Sequence, residues 1–397
     1  MARQHTCPYC YESFASREIR FRCHGRLSPT GEKCELRRDQ VLDTRMGPRR
    51  SHDLGPDFLA DGRRPTAVCP GCKGETTYRI CPVCHCELPV QFGRVDNRLI
   101  AMVGAKASGK TVYMTVLLHE VRNRVGEAFG AALMGLDDAT MRRYSSEYED
   151  RLYRDNQLFP GTQTASTNPN NRVDPLVFRF SLRRRTLLGH RPQHTVLSFF
   201  DTAGEDFSSR ESVELNARYL TGADGIILLL DPLQMPGARD GALPGTPMPG
   251  TDGFDTPVNL LSRVTNLLLA PRSGRSAQKI DVPVAVVFSK MDAFRHLLDA
   301  ASPLRDHAPA RDHFDVGDSL SVHEEVRRLL KDWDGVPVDQ LLENHYTRYR
   351  YFGVSSLGRN PTPDARIAAT GIQPYRVADP LLWLLSEFGS VPKAGRG

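Results

Sequence analysis

The sequence predicts an α/β fold: a domain built on a mostly parallel six-stranded sheet, preceded by a small cysteine-rich module. Two observations carry this expectation. All nine cysteines of the 397 residues lie between Cys7 and Cys86, so the rest of the chain is built without them. Beyond Arg94 short apolar runs alternate with amphipathic segments, the pattern of strands that alternate with helices. A hydrophobic content of 40% is ample for a core, and a formal charge of +5 on so long a chain is mild. The apolar runs "GIILLL" and "PLLWLL" fall far short of a membrane span, and no apolar segment follows "MARQHTCPYC". The expected location is therefore the cytoplasm, where thiols stay reduced and paired C-x-x-C units point to metal rather than to disulfides.

In chain order, residues 1–45 read as a cysteine-rich metal-binding segment and 46–66, rich in Gly, Pro and charge, as a linker. Residues 67–92 hold two C-x-x-C knuckles around a short "ETTYRI" strand, and 94–390 form the α/β domain. Its expected strands are "RLIAMVG", "LVFRFSL", "TVLSFFD", "GIILLLD", "VPVAVVFS" and "YRYFGVS". Helices are expected over 110–125, 209–220, 257–270 and 322–333, and in "ADPLLWLLSEF". Only "RRRTLLGHRPQH" separates the second and third strands, which predicts a hairpin and hence one antiparallel strand. Two inserts interrupt the pattern. Residues 127–171 carry one polar helix and a loop, and residues 232–257, loaded with Pro and Gly, form a long loop.

"GAKASGKT" matches G-x-x-x-x-G-K-[ST] between a strand and a helix, where a phosphate cradle belongs. Gly104 and Gly109 let the backbone N–H groups of Gly104, Ala105, Lys106, Ala107, Ser108 and Gly109 close around phosphate oxygens. The following helix adds the positive end of its dipole. Lys110 would reach the β- and γ-phosphates, and the Thr111 hydroxyl would complete a Mg²⁺ shell. In "FFDTAGED" a strand ends in Asp201, which can hold Mg²⁺ through water, and the Gly204 N–H can sense a γ-phosphate. "VAVVFSKMD" selects the base: Asp292 can accept both adjacent donors of guanine, a pair that adenine lacks, while Lys290 lays its aliphatic stem across the ring.

"GAKASGKT", "DTAGE", "SKMD" and "VSSL" occur in the order found in Ras-like (TRAFAC-class) P-loop GTPases, which the chain resembles from Arg94 to about Gly389. The resemblance implies a P-loop NTPase G domain that binds GTP or GDP with Mg²⁺ and hydrolyses GTP. It also implies that Ser355 and Ser356 lie near the guanine O6, and that a switch-loop threonine reaches Mg²⁺, with Thr164 the choice and Thr162 the alternative. Two positions depart from the family. Ser289 replaces the usual Asn before Lys290, and Glu205 stands where a water-orienting Gln is common, which implies slow intrinsic hydrolysis. Catalysis would thus rest on Lys110, Thr164, Gly204 and Glu205. Cysteine knuckles combined with a G domain carrying long inserts are similar to bacterial double-GTPase (DO-GTPase) proteins, which implies a bacterial signalling or conflict setting.

The cysteine spacing predicts two structural zinc sites, Cys7, Cys10, Cys23 and Cys34 in one and Cys69, Cys72, Cys81 and Cys84 in the other. His24 is an alternative ligand in the first, His85 and Cys86 in the second. Through Asn97 the chain has sixteen Lys and Arg against twelve Asp and Glu. Each four-thiolate zinc site carries about −2, which cancels that surplus and favours a protein effector or regulator over nucleic acid. Three functions follow: a GTP-driven switch with a zinc interaction module, a zinc-ribbon scaffold that binds GTP with little hydrolysis, or a nucleic-acid-associated GTPase.

Overall fold

The computed structural model describes residues 4–46, 53–93, 98–105, 107–159, 175–186, 189–199, 217–250, 256–272, 279–305, 312–362 and 364–395. The first part is made of very short strands: β1 (Gln4–Thr6), β2 (Ser13–Ala15), β3 (Arg20–Arg22), β4 (Asp57–Leu59), β5 (Ala67–Val68), β6 (Glu75–Thr76), β7 (Arg79–Ile80) and β8 (Glu87–Leu88), with helix α1 (Gln40–Met46) between β3 and β4. Four of them form one sheet in the order β4-β3-β7-β8. Residues 57–59, expected in a linker, are thus a paired strand, and the two cysteine-bearing segments are joined through β3 and β7.

The second part opens with β9 (Ile100–Gly104), α2 (Lys110–Glu120), α3 (Gly126–Phe129), β10 (Ala131–Gly135) and α4 (Asp138–Arg143), whose helical course continues to Arg154. The hairpin strands β11 (Leu176–Thr186) and β12 (Gly189–Phe199) follow, then β13 (Gly225–Leu230), α5 (Pro236–Arg239), α6 (Pro257–Leu269) and β14 (Val284–Phe288). The chain ends with β15 (Phe314–Asp315), α7 (Val316–Asp332), α8 (Val336–His345), β16 (Tyr349–Gly353), α9 (Asp379–Glu387) and β17 (Lys393–Ala394).

All six expected strands form, but among the described residues they do not share one sheet. Four of them, in the order β16-β14-β13-β9, make the parallel sheet. The hairpin pairs antiparallel as predicted, with Leu176 opposite Phe199, and its other edge takes β10 to form a separate three-stranded sheet. β10 was not legible because "AALMG" combines weak strand formers with no β-branched residue. α8 was not read either, since "GVPVDQLLENH" has only a short apolar stripe behind a proline that serves as an early helical residue.

The parallel strands are apolar on both sides, and their side chains alternate between two cores, as a two-residue period demands. Ile226, Leu228, Leu230, Val284, Val286 and Phe288 pack with α6, α7 and α8. Ile227, Leu229, Ala285 and Val287 pack with α2, α9 and the hairpin's Leu176, Phe178 and Phe180. The helix starts are fixed locally. Thr256 accepts the Asn259 N–H at the head of α6, where Pro257 occupies the first turn, and Asp315 accepts the Asp318 N–H at the head of α7. No helix among the described residues is long and apolar enough to cross a membrane.

One core contact is pH-sensitive. His323 of α7 accepts the Tyr351 N–H through Nδ1 at 3.0 Å and stacks on the Tyr351 ring. Burial, with Arg350 nearby, lowers its pKa to about 4. Between about 6.5 and 4 the unfolded chain takes up this proton and the fold does not, so stability falls as pH drops through that window. Urea midpoints at pH 7 and pH 5 should show the loss, and His323→Gln should flatten it.

Candidate functional site

The cradle lies where β9 ends and α2 begins. At Gly104 a Cβ would sit 2.6 Å from Ser108 Oγ and 3.2 Å from Leu229, so only hydrogen fits. Ala107 and Gly109 take positive φ, 60° and 82°, which folds the loop back under the helix. Gly109 leaves the head of α2 without a side-chain cap, and no acidic residue occupies its first turn. The first N–H groups of the helix carry the positive end of its dipole. Ser108 is fully buried, yet its hydroxyl has no hydrogen-bond partner among the described residues. Lys110 is only 8% exposed. A buried unpartnered hydroxyl, a turn closed to any Cβ and an uncapped helix head fit an anion the size of phosphate.

The β14 turn is latched to this cradle. Ser289 Oγ donates to Ser108 O at 2.9 Å and approaches Leu230 O at 3.2 Å, bridging the ends of three segments. Lys290, with φ at 56°, donates to Ala107 O at 2.9 Å and to Asp231 Oδ2 at 2.6 Å. Asp292 accepts the Ser355 hydroxyl at 2.5 Å, and that hydroxyl in turn accepts the Gly358 N–H at 2.9 Å. Burial pushes the Asp292 carboxyl up, while the Ser355 hydroxyl pulls it down. Ser355 therefore aims Asp292, beyond any contact of its own with a base; Ser356 is half-buried beside it. Part of the 232–257 insert packs against the same turn: Leu243 N–H donates to Ala293 O at 2.9 Å, and Asn360 donates to the Thr246 hydroxyl at 2.9 Å.

The structure thus brings together Gly104, Ala105, Ala107, Ser108, Gly109, Lys110, Thr111, Ser289, Lys290, Asp292, Ser355 and Ser356. Lys106, Thr162, Thr164, Asp201, Gly204 and Glu205 lie outside the described residues. Asp231, which sequence reasoning passed over, sits fully buried against Lys290. Its only signal was an acidic residue closing the apolar run "GIILLL".

The thiols gather in two groups, but not in the expected sets. Cys7 and Cys10 meet Cys81 and Cys84, while Cys23 and Cys34 meet Cys69 and Cys72. The pairing is nested, first pair with last, because β3 pairs with both β4 and β7 and folds the first segment back onto the second. Cross-pair Sγ separations run from 3.6 to 3.8 Å. A tetrahedron of 2.3 Å metal–sulfur bonds has edges of about 3.8 Å, the size zinc requires. His24 stacks on Tyr78 and belongs to neither group. His85 is held by Asp39, which also binds Arg22 and caps α1 through the N–H groups of Val41 and Leu42. Against the cost of its burial, those partners bring Asp39 down to about 2.

Three knuckles share one geometry. In Cys7-Pro8-Tyr9-Cys10-Tyr11, Cys69-Pro70-Gly71-Cys72-Lys73 and Cys81-Pro82-Val83-Cys84-His85, the fifth residue has φ near 60° and donates its N–H to the first cysteine's carbonyl. The first cysteine's N–H in turn reaches the carbonyl of Glu12, Gly74 or Cys86. Cys86 therefore contributes backbone to its knuckle.

The first of these knuckles docks on the α/β domain. Pro8 O accepts the Ser198 hydroxyl at 2.8 Å, Tyr9 donates to Asp137 at 2.9 Å, and Glu12 pairs with Arg218 at 2.7 Å. Tyr11 packs on Tyr219, whose hydroxyl accepts the Met102 N–H of β9. Val177 and Val196 of the hairpin share a core with Cys7, Cys81 and Cys84.

The sequence model of the Double-GTPase 2 family matches residues 98–333. A candidate ESX-1 scaffolding and assembly protein of Mycolicibacterium smegmatis, SaeC, is 32% identical over 330 residues, covering 78% of this chain and 80% of its own. Among solved structures, the Arl6 small GTPase of Trypanosoma brucei aligns at 12% identity and TM-score 0.28, over 74% of this chain and 98% of its own. The GTPase-like domain of Ski7 from Saccharomyces cerevisiae, bound to GTP, aligns at 14% identity and TM-score 0.30, over 73% of this chain and 50% of its own.

Proposed function

The chain belongs to the Double-GTPase 2 family, and from that premise we propose a GTP- and Mg²⁺-binding molecular switch that hydrolyses GTP and carries a two-zinc module for a protein partner. The observation that carries this reading is the latch of the base turn onto the phosphate cradle through Ser289 and Lys290. Such a latch would keep a purine site at a fixed distance from a phosphate site. The N–H groups of the cradle, the Ser108 hydroxyl and Lys110 would hold the phosphates, and Asp292 the guanine. Thr111, Asp201 and Thr164 would hold Mg²⁺, whose charge neutralises the phosphate oxygens when bound. Gly204 and Glu205 would flank the γ-phosphate, where a second carboxylate slows hydrolysis.

Base selection offers the test. Asp292→Asn replaces an acceptor of two donors with a mixed group. GTP affinity should fall about a hundredfold, the loss of two charge-assisted hydrogen bonds. Xanthosine triphosphate, with a carbonyl in place of the 2-amino group, should gain by comparison. Unchanged GTP binding in this variant would sink the reading.

The zinc module is suited to relay the nucleotide state, because its first knuckle rests on the hairpin and on Arg218 and Tyr219. A cytoplasmic setting agrees with nine cysteines of which none forms a disulfide. A second reading is a scaffold that binds GTP and hardly turns it over, favoured by the scaffolding role in the relative's description. Single-turnover hydrolysis separates the two, since turnover stimulated by a partner excludes the pure scaffold.

A further inference from the structure

We infer that Asp231 is a positioning residue for the guanine site: it holds Lys290 in place and thereby sets how long a nucleotide stays bound. This rests on the GTP-binding reading and adds to it a residue outside the nucleotide motifs.

Asp231 directly follows β13, one of the two inner strands of the parallel sheet, and is wholly buried. A carboxylate removed from water is tolerated only where its oxygens are satisfied, and here each oxygen has a separate task. Oδ1 accepts the Leu233 N–H at 2.9 Å and caps the turn Pro232–Gln234 that begins the long insert. Oδ2 accepts the Lys290 ammonium at 2.6 Å. The same ammonium donates to Ala107 O at 2.9 Å in the cradle. The Lys290 ammonium is thus clamped between two fixed points on different segments, which fixes the far end of the stem that must lie flat to cover a purine ring. Its left-handed backbone, with φ at 56°, is unusual for a side-chain-bearing residue. The two hydrogen bonds hold it there.

Without the Asp231 charge one anchor is lost. The Ala107 carbonyl alone leaves the long side chain free to leave the ring face for solvent, since Lys290 is 32% exposed. A bound nucleotide would then dissociate faster. Base selection would stay as it was, because Asp292 is held separately by Ser355.

The test uses the full chain and fluorescent N-methylanthraniloyl-GDP. Asp231→Asn keeps an oxygen for the Leu233 N–H and removes the charge, and Asp231→Ser does so with a smaller group should the first variant fold poorly. Either should raise the dissociation rate about tenfold, the usual effect of losing one hydrogen bond to a charged group. Lys290→Gln should raise it similarly, and the double variant Asp231→Asn with Lys290→Gln should be no worse than Lys290→Gln alone. The ratio of GTP to ITP affinity, which reports the 2-amino contact with Asp292, should not move in Asp231→Asn. Additive effects in the double variant, an unchanged dissociation rate, or a collapsed GTP to ITP ratio would each overturn the inference. If the unmodified chain bound no guanine nucleotide, the GTP reading itself would fail, and the inference with it.

Discussion

Lys110→Ala should lower the affinity for both GTP and GDP by about a hundredfold or more, read by titration with a fluorescent nucleotide. The side chain lies at the first helical position of α2 and is 8% exposed, so a phosphate oxygen beside it would be largely out of water. In such a site a charge-assisted hydrogen bond is about twice as strong as a neutral one, and Coulomb attraction is weakly screened. Removing the ammonium takes away the one side-chain cation proposed to hold the phosphates. The fold should survive the change, because Lys110 belongs to neither apolar core and Ala is the best helix former. Retained affinity would therefore count against the nucleotide site itself.

The second large effect concerns the cysteines. The intact chain should carry two equivalents of zinc, and a strong chelator should unfold the first part of the chain, seen as lost protection of residues 4–93 in hydrogen exchange. Structural zinc contributes on the order of 10 kcal/mol to such small modules, far more than strands of two or three residues can supply. The nested pairing gives a sharper result. Cys7→Ser combined with Cys84→Ser damages one thiol group only, so one zinc should remain. Under pairing of successive segments the same double change would strike both sites and none would remain. Metal content by mass spectrometry of the native protein decides between them. Loss of the Cys7 site should also loosen Val177 and Val196 of the hairpin, which share its core.

The two site types differ in how far local chemistry carried them. The glycine turn of the proposed phosphate cradle was legible because its requirements are local: Gly104 and Gly109 are needed where a Cβ would collide or φ turns positive, and Lys110 and Thr111 follow at the head of a helix. The strands were legible for the same reason, since "GIILLL" and "VAVVF" are long apolar runs that only a doubly covered sheet can bury. β10 was missed because its partner edge on β11 stabilises it more than its own residues do. Asp231 gave no motif signal because its partner, Lys290, lies 59 residues away.

By itself the sequence determined the nucleotide motifs, the six principal strands of the larger part in their chain order, and which eight cysteines serve as ligand candidates. Each of these follows from interactions within a few residues: a turn needing glycine, a two-residue apolar period, a Cys-Pro-x-Cys knuckle. Only the tertiary structure decided which knuckles meet. Four thiol pairs can combine into two sites in three ways, all with equally good local geometry, and the choice falls to the β3 pairing that folds the chain back. Tertiary structure also set the docking of the first knuckle on the hairpin, the separation of that hairpin from the parallel sheet, and the Asp231–Lys290 pair. Those contacts join segments far apart in sequence, where the spacing of residues along the chain carries no information about distance in space.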